Sequence, residues 1–239
     1  MGESSAFCLV LGTSAAPIHA GHIELVVDAV HGLERRGHQV DEVVILPVYR
    51  RHNISDEVKH SMQESYEDRL ALCQIAARQI AQAVNKPADW VEVSRLEEAL
   101  ALESNRPNYT AESMAIMRAE LDPSIRLSFL VGTDNLSGES PNLSHWYELD
   151  ALLATTTFVV CPRDGFPPNR SFMDELGQRG GKMIYLEEVR IADVSSSEIR
   201  AKLTETSHPA EVVEAGWLSQ EALEYILDHH LIERWRLQN

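Results

Sequence analysis

Ala6-Phe7-Cys8-Leu9-Val10-Leu11-Gly12-Thr13-Ser14-Ala15-Ala16-Pro17-Ile18-His19-Ala20-Gly21-His22 is the stretch that decides the fold. Its apolar start, residues 6–11, shows no polar alternation, the mark of a parallel strand buried on both faces. Gly12 follows where the chain must turn, and Gly21 leaves room for a ligand to approach the backbone. From His22 to Arg36 the apolar residues Ile23, Val26, Val27, Val30 and Leu33 recur at helical spacing, and Gly37 sits where a left-handed C-terminal residue is wanted. A strand, a glycine loop and a helix in this order point N–H groups and the positive end of a helix dipole at whatever lies beyond the strand. That is the usual way to hold a phosphate.

Working outward, residues 43–46 read as a second strand stopped by Pro47, residues 65–84 as a helix ended by Lys86-Pro87, and residues 90–93 as a third strand. Thr110 can cap a helix to Leu121, and residues 125–131 form a central strand running into Gly132-Thr133-Asp134. Residues 145–153 read as helical, 157–161 and 183–186 as strands, and 195–203 and 219–229 as helices. This alternation predicts an α/β fold, a doubly wound and mostly parallel sheet, with ligands at the carboxyl ends of the strands. The expected organisation is one domain over residues 1–239, with an α/β core at 6–203 and a small C-terminal helical extension at 204–239. Residues 50–64, 137–144 and 163–171 are the loop-rich stretches.

Composition narrows the function. A net charge of −16 disfavours a nucleic-acid partner, because that affinity rests on Lys and Arg displacing counterions. Local charge can still hold a small anion. The three cysteines, Cys8, Cys73 and Cys161, are far apart and form no C-x-x-C pair, against a disulfide framework or zinc site and in favour of a reducing cytoplasm. No apolar run is long enough for a bilayer, and the first residues lack a secretion-signal pattern, so no membrane partner is expected. The Glu97-Glu98 and Glu187-Glu188 pairs read as exposed faces. Oligomeric state is left open, a homo-oligomer included.

Two segments carry chemistry. His19 and His22 lie three residues apart across the loop, so both imidazoles can converge on one phosphate and stabilise charge gathering on its oxygens. A lone histidine there would be a solvated cap, and a metal pair would prefer a different spacing. The second segment is Val194-Ser195-Ser196-Ser197-Glu198-Ile199-Arg200. Ser195 and Glu198 make a capping box, which alone accounts for both. What remains is a hydroxyl-rich helix N-terminus with Arg200 about one turn on, a combination that suits the outer phosphates of a nucleoside triphosphate.

With H-x-G-H after the first strand and the late S-S-S-E-I-R segment, the chain resembles the nucleotidylyltransferase superfamily, and within it the nicotinate/nicotinamide mononucleotide adenylyltransferases. Four further stretches carry the resemblance: Leu46-Pro47 with Arg50 and Arg51; residues 103–110 ending in Tyr109-Thr110; residues 130–136 with Trp146 downstream; and residues 223–231, so that it spans about residues 7–232. The resemblance implies a Rossmann-like fold of the nucleotidyltransferase type and transfer of AMP from ATP to a pyridine mononucleotide, with Mg²⁺ accompanying the ATP. It also implies that His19 and His22 meet the ATP phosphates, together with a binding loop of Gly12, Thr13, Ser14 and Gly21. Ser195, Ser196, Ser197 and Arg200 would hold the outer phosphates. Gly132 and Asp134 would belong to the ATP site, Asp134 near the adenosine ribose and the metal. Arg50, Arg51, Tyr109, Thr110 and Trp146 would bind the mononucleotide, with Trp146 stacking on its ring.

Three positions depart from the family pattern. Ala16 stands where an acidic or amide residue is usual, Arg50-Arg51-His52 replaces P-H-K, and Ser197 replaces a Thr. The rival readings are another adenylyltransferase of the superfamily, such as a phosphopantetheine adenylyltransferase, and a catalytically silent nucleotide-binding module. A cytidylyltransferase would carry R-T-E-G-I-S and a class I tRNA synthetase a K-M-S-K-S-like loop, and neither occurs.

Overall fold

The computed structural model describes residues 6–50, 64–189 and 194–238. Six strands, β1 (Ala6–Thr13), β2 (Gln39–Pro47), β3 (Val91–Val93), β4 (Ile125–Gly132), β5 (Thr157–Cys161) and β6 (Lys182–Tyr185), form one sheet in the order β3-β2-β1-β4-β5-β6. Every pairing is parallel. The chain winds one way from β1 to β3 and the other way from β4 to β6, so β1 and β4 flank the point where the winding reverses and a crevice opens.

Ten helices cover the faces: α1 (Ala20–Arg35), α2 (Tyr66–Ala83), α3 (Leu96–Ser104), α4 (Thr110–Glu120), α5 (Leu149–Thr155), α6 (Arg170–Gln178), α7 (Ser196–Glu205), α8 (Glu211–Glu214), α9 (Gln220–Asp228) and α10 (Leu231–Gln238), counted among the described residues. Alternate residues of β1 feed two cores. Leu9 and Leu11 pack with Val26, Val30 and Leu33 of α1, Leu72 and Ile80 of α2, and Ile226 and Trp235 near the chain's end. Cys8 and Val10 face Met114, Phe129, Leu152 and Phe158 on the other side. The helices after residue 204 thus contribute to the same core as α1 and α2, with Trp235 fully buried.

Several elements differ from the sequence reading. Helix α1 begins at Ala20, two residues before His22, because His19 holds an extended backbone and serves as its N-cap. Gly12 is a strand residue, and the left-handed position of the loop belongs to Ala15 at φ 51°. The helix expected over 145–153 is displaced to α5, since residues 142–145 form a 3-10 turn and Glu148 is left-handed at φ 48°. Helices α3 and α6 were not marked by the periodicity, being short and interrupted by charge.

Gly12 earns its place by what lies over it. A Cβ there would fall 2.5 Å from the Phe129 ring, and that ring stands edge-on to Trp146 at a centroid distance of 5.7 Å. The glycine therefore admits the phenylalanine that backs the tryptophan. Gly12→Ala is expected to lower stability by about 1–3 kcal/mol through overpacking. Combining it with Phe129→Leu should recover part of that loss in urea unfolding, because the shorter side chain vacates the contact.

Candidate active site

At the carboxyl ends of β1 and β4 lies an open cavity of about 420 Å³, whose lining includes His19, His22, Thr110, Asp134, Trp146 and Ser196. It is built from the two segments that the sequence singled out. The Ser196 hydroxyl donates to the Pro17 carbonyl at 2.9 Å, and the Arg200 guanidinium donates to the carbonyl of Ala16. The early loop and the start of α7 therefore touch directly, although they lie far apart in the chain.

The loop is held from every side. Thr13 Oγ1 accepts the Ala15 N–H at 3.0 Å, and Val48 N–H donates to the Thr13 carbonyl at 2.9 Å. Arg69, nearly fully buried on α2, donates to the Ser14 carbonyl at 3.1 Å and to the Val48 carbonyl at 2.6 Å, joining the ends of β1 and β2. Ala20 N–H, at the first position of α1, donates to the Trp217 carbonyl at 2.9 Å. The His22 and Ile23 N–H groups turn back on the His19 carbonyl, so three amides of the helix start are already satisfied. Attraction for an anion there comes from the dipole and the side chains.

The two imidazoles stand edge to face with centroids 4.0 Å apart. His22 Nε2 is 3.1 Å from the Thr13 hydroxyl. Burial pushes the His19 ring down to about 2 and the His22 ring down to about 4, with the neighbouring Arg163 adding to both. At neutral pH both rings are uncharged, each with one nitrogen to donate and one to accept. Gly21 makes room for this pair, since a Cβ would lie 3.2 Å from the His19 ring and 3.3 Å from Val194.

Of the residues expected in the site, Gly12, Thr13, Ser14, His19, Gly21, His22, Thr110, Gly132, Asp134, Trp146, Ser195 and Ser196 all line the cavity. Others sit elsewhere. Arg200 is buried beneath the loop, occupied by the Ala16 carbonyl and by Ser197 Oγ at 3.2 Å, and neither residue lines the cavity. Ser195 is spent on the capping box, its hydroxyl accepting the Glu198 N–H at 3.2 Å and donating to the Glu198 carboxylate at 2.7 Å. Tyr109 stacks on Tyr147 with centroids 4.1 Å apart, outside the lining. Arg50 lies over the Tyr49 ring, 5.3 Å from its centroid, and also stays out of the lining. Arg51 falls outside the described residues.

Two charged residues in the lining were not expected there. Arg163 follows β5 and places its guanidinium 3.5 Å from the Asp134 carboxylate. A basic residue directly after an apolar strand was a usable signal, because ligands gather at such ends. Glu97 is buried at the start of α3, and its carboxylate accepts the Tyr49 N–H at 3.1 Å. The reading of this residue as part of an exposed face was wrong: α3 packs it inward, and burial pushes its carboxyl up to about 7. The cysteines take no part. All three are buried free thiols, with Cys73 and Cys161 pushed up to about 12 by burial.

Residues 10–202 match the family model described as cytidylyltransferase-like. The chain belongs to the cytidylyltransferase-like family. This cytidylyltransferase-like chain is 27% identical over 210 residues to a Salmonella typhimurium protein named nicotinate-nucleotide adenylyltransferase, covering 81% of this chain and 85% of the relative. In fold it is similar to the Plasmodium falciparum nicotinic acid mononucleotide adenylyltransferase complexed with NaAD, with a TM-score of 0.67 and 18% identity over 97% of this chain and 98% of that one. A second structure of the Plasmodium protein, complexed with APC, gives a TM-score of 0.66 at 17% identity over the same shares. No helix among the described residues is long and apolar enough to cross a membrane.

The buried titrating groups give opposite pH signatures. Below the ordinary imidazole value of 6.5 the unfolded chain takes up protons that the folded one refuses, so stability falls as pH drops from there towards 4. His22→Gln should flatten that fall by up to about 1.4 kcal/mol per pH unit in urea titrations. Glu97 works the other way. Its folded carboxyl is raised, so its contribution is present below the ordinary value of 4.5 and lost as pH rises through about 7. Glu97→Gln should therefore gain on the order of 1–2 kcal/mol over wild type at alkaline pH and lose that advantage in acid.

Proposed function

We propose that this chain transfers the AMP part of ATP to the 5′-phosphate of nicotinate mononucleotide, releasing pyrophosphate. The observation that carries the reading is the meeting of the His19–His22 loop with the Ser196 end of α7 over one cavity, at the point where the sheet reverses its winding. The named relatives support the acceptor. They do so at 27% identity, which is why nicotinamide mononucleotide belongs in the same assay.

The chemistry asks little of the protein beyond placement. The acceptor phosphate is already an anion, so it attacks the α-phosphorus in line without a general base, and no covalent enzyme intermediate forms. His19, buried, and His22, half-buried, are both neutral and donate to the oxygens on which negative charge grows, in a setting where such bonds are worth more than in water. Trp146 gives a half-buried aromatic wall, backed by Phe129, against which a pyridine ring can lie, with Thr110 beside it in the lining.

The donor set fits a metal ion carried by the nucleotide. Asp134 is a single carboxylate already paired with Arg163, and the described residues hold no group of three metal-ligating side chains. Asp134 would be the residue to meet Mg²⁺, which when bound supplies neutralisation of phosphate charge.

A pyrophosphate-release assay with ATP and a panel of nicotinate mononucleotide, nicotinamide mononucleotide and phosphopantetheine should show turnover with a pyridine mononucleotide. In the same assay His22→Ala is expected to lose at least ~10²-fold in kcat while keeping its circular dichroism and melting curve. ATP binding without turnover on any acceptor would instead mark a silent nucleotide-binding module.

A further inference from the structure

Glu97 is a buried acid in the cavity wall for which the transfer chemistry above has no use. One of its oxygens accepts the Tyr49 N–H at 3.1 Å, and the carboxyl makes no second hydrogen bond among the described residues. Burying an acid with half of its hydrogen-bonding capacity unmet is costly unless a bound molecule supplies the missing partner. In the wall of a binding cavity, that partner is the ligand.

The position of Glu97 says which part of the ligand it meets. In the sheet β2 and β3 lie on one side of β1, and β4 and β5 on the other. Helix α3 carries Glu97 to the carboxyl end of β2, beside Tyr49, whereas Asp134 and Arg163 follow β4 and β5. Leu96, its chain neighbour, packs on the same core as Phe129, Trp146 and the Ala111 next to Thr110. Glu97 therefore shares one face of the sheet with Trp146 and Thr110, the two residues against which a pyridine ring can lie. That ring bears a single polar substituent, a carboxylate in nicotinate and an amide in nicotinamide, and a buried acid treats the two differently.

We propose that Glu97 selects the acceptor, its second carboxyl oxygen meeting the substituent on the pyridine ring and telling a carboxylate from an amide. This rests on the AMP-transfer reading above and adds a specificity residue to it. As a neutral acid Glu97 donates to the nicotinate carboxylate in a charge-assisted hydrogen bond. As a carboxylate it repels that group and accepts from the nicotinamide N–H instead. Burial pushes its carboxyl up to about 7, against the Tyr49 N–H and the Arg69 guanidinium of α2, so both forms are populated near neutrality. Around it stand Tyr66 of α2, whose phenol burial also pushes up, and Glu98 of its own helix, paired with Arg95. Elsewhere in the lining are the two neutral histidines and the Asp134–Arg163 pair.

The quantity to measure is kcat/KM for nicotinate mononucleotide divided by kcat/KM for nicotinamide mononucleotide, in pyrophosphate release from about pH 6 to about pH 8.5. The quotient cancels what pH does to ATP, to the mononucleotide phosphate and to the chemistry that both acceptors share. Wild type should lose at least about tenfold in this quotient across the range, with its midpoint near pH 7. Glu97→Gln, which stays neutral, should give a quotient that does not move with pH. A residue that merely held the Tyr49 amide would alter both acceptors alike. A flat wild-type quotient, or a Glu97→Gln quotient that still follows pH, overturns the proposal and leaves the transfer reading standing. Calorimetric binding of each mononucleotide in the presence of α,β-methylene ATP reads the same selection without turnover. Selection that follows pH there, with no transfer to either acceptor, keeps the role of Glu97 and sinks the transfer reading; no binding of either acceptor sinks both.

Discussion

Two donors at the start of α7 take the carbonyls of the loop after β1, Ser196 on Pro17 and Arg200 on Ala16, and the rest of the molecule is arranged so that this can happen. Backbone carbonyls in a loop packed between helices cannot reach water, and each left unmet would cost about 1–3 kcal/mol. With Arg69 on Ser14 and the Ala20 amide on Trp217, the loop is bound to α2, α7 and the segment before α9. Such a loop takes its shape from the fold around it. That is what a reaction dependent on placement requires, since entropy settled during folding is not lost again at the transition state.

The same enclosure explains the charge distribution. Burial keeps His19 and His22 uncharged, which looks unhelpful beside a polyphosphate until the alternative is considered. Two imidazolium ions with centroids 4.0 Å apart would repel each other and would need counter-charges in the empty site. Neutral rings avoid this and still donate where charge develops. Burial likewise pushes Arg200 below its usual range, with the buried Glu64 carboxylate acting in the opposite sense. Its positive charge serves the loop from within the protein.

How much of this could be read from the sequence follows from the range of each interaction. β1, α1 and the late helix cap were legible because runs, periodicity and capping residues are local, and Ser195 with Glu198 behaved as the capping box that the letters spell. The convergence of the two motifs was legible only because parallel winding delivers both to one sheet edge. Arg69 and Glu97 carry no local mark of their roles, whereas Arg163 at least follows an apolar strand. Arg69 and Glu97 sit in helical stretches where a charge ordinarily faces water, and burial against loops distant in sequence decided otherwise. The direction of Arg200 was hidden for a related reason. Which oxygens a guanidinium meets depends on a loop shape governed by the left-handed Ala15, and no spacing rule reports it. Nothing in the structure explains Ala16 as a departure from the family pattern, since the bond it takes is to its backbone carbonyl.

The bond from the Ala20 amide to the Trp217 carbonyl reaches beyond the finished molecule. Trp217 is made long after the helix whose head it holds, so β1 and α1 emerge with that amide unmet and gain its partner only when the later segment folds back. The cradle at the sheet edge is therefore closed across a long span of chain, and the entropy of that closure has to be met by the packing of everything in between.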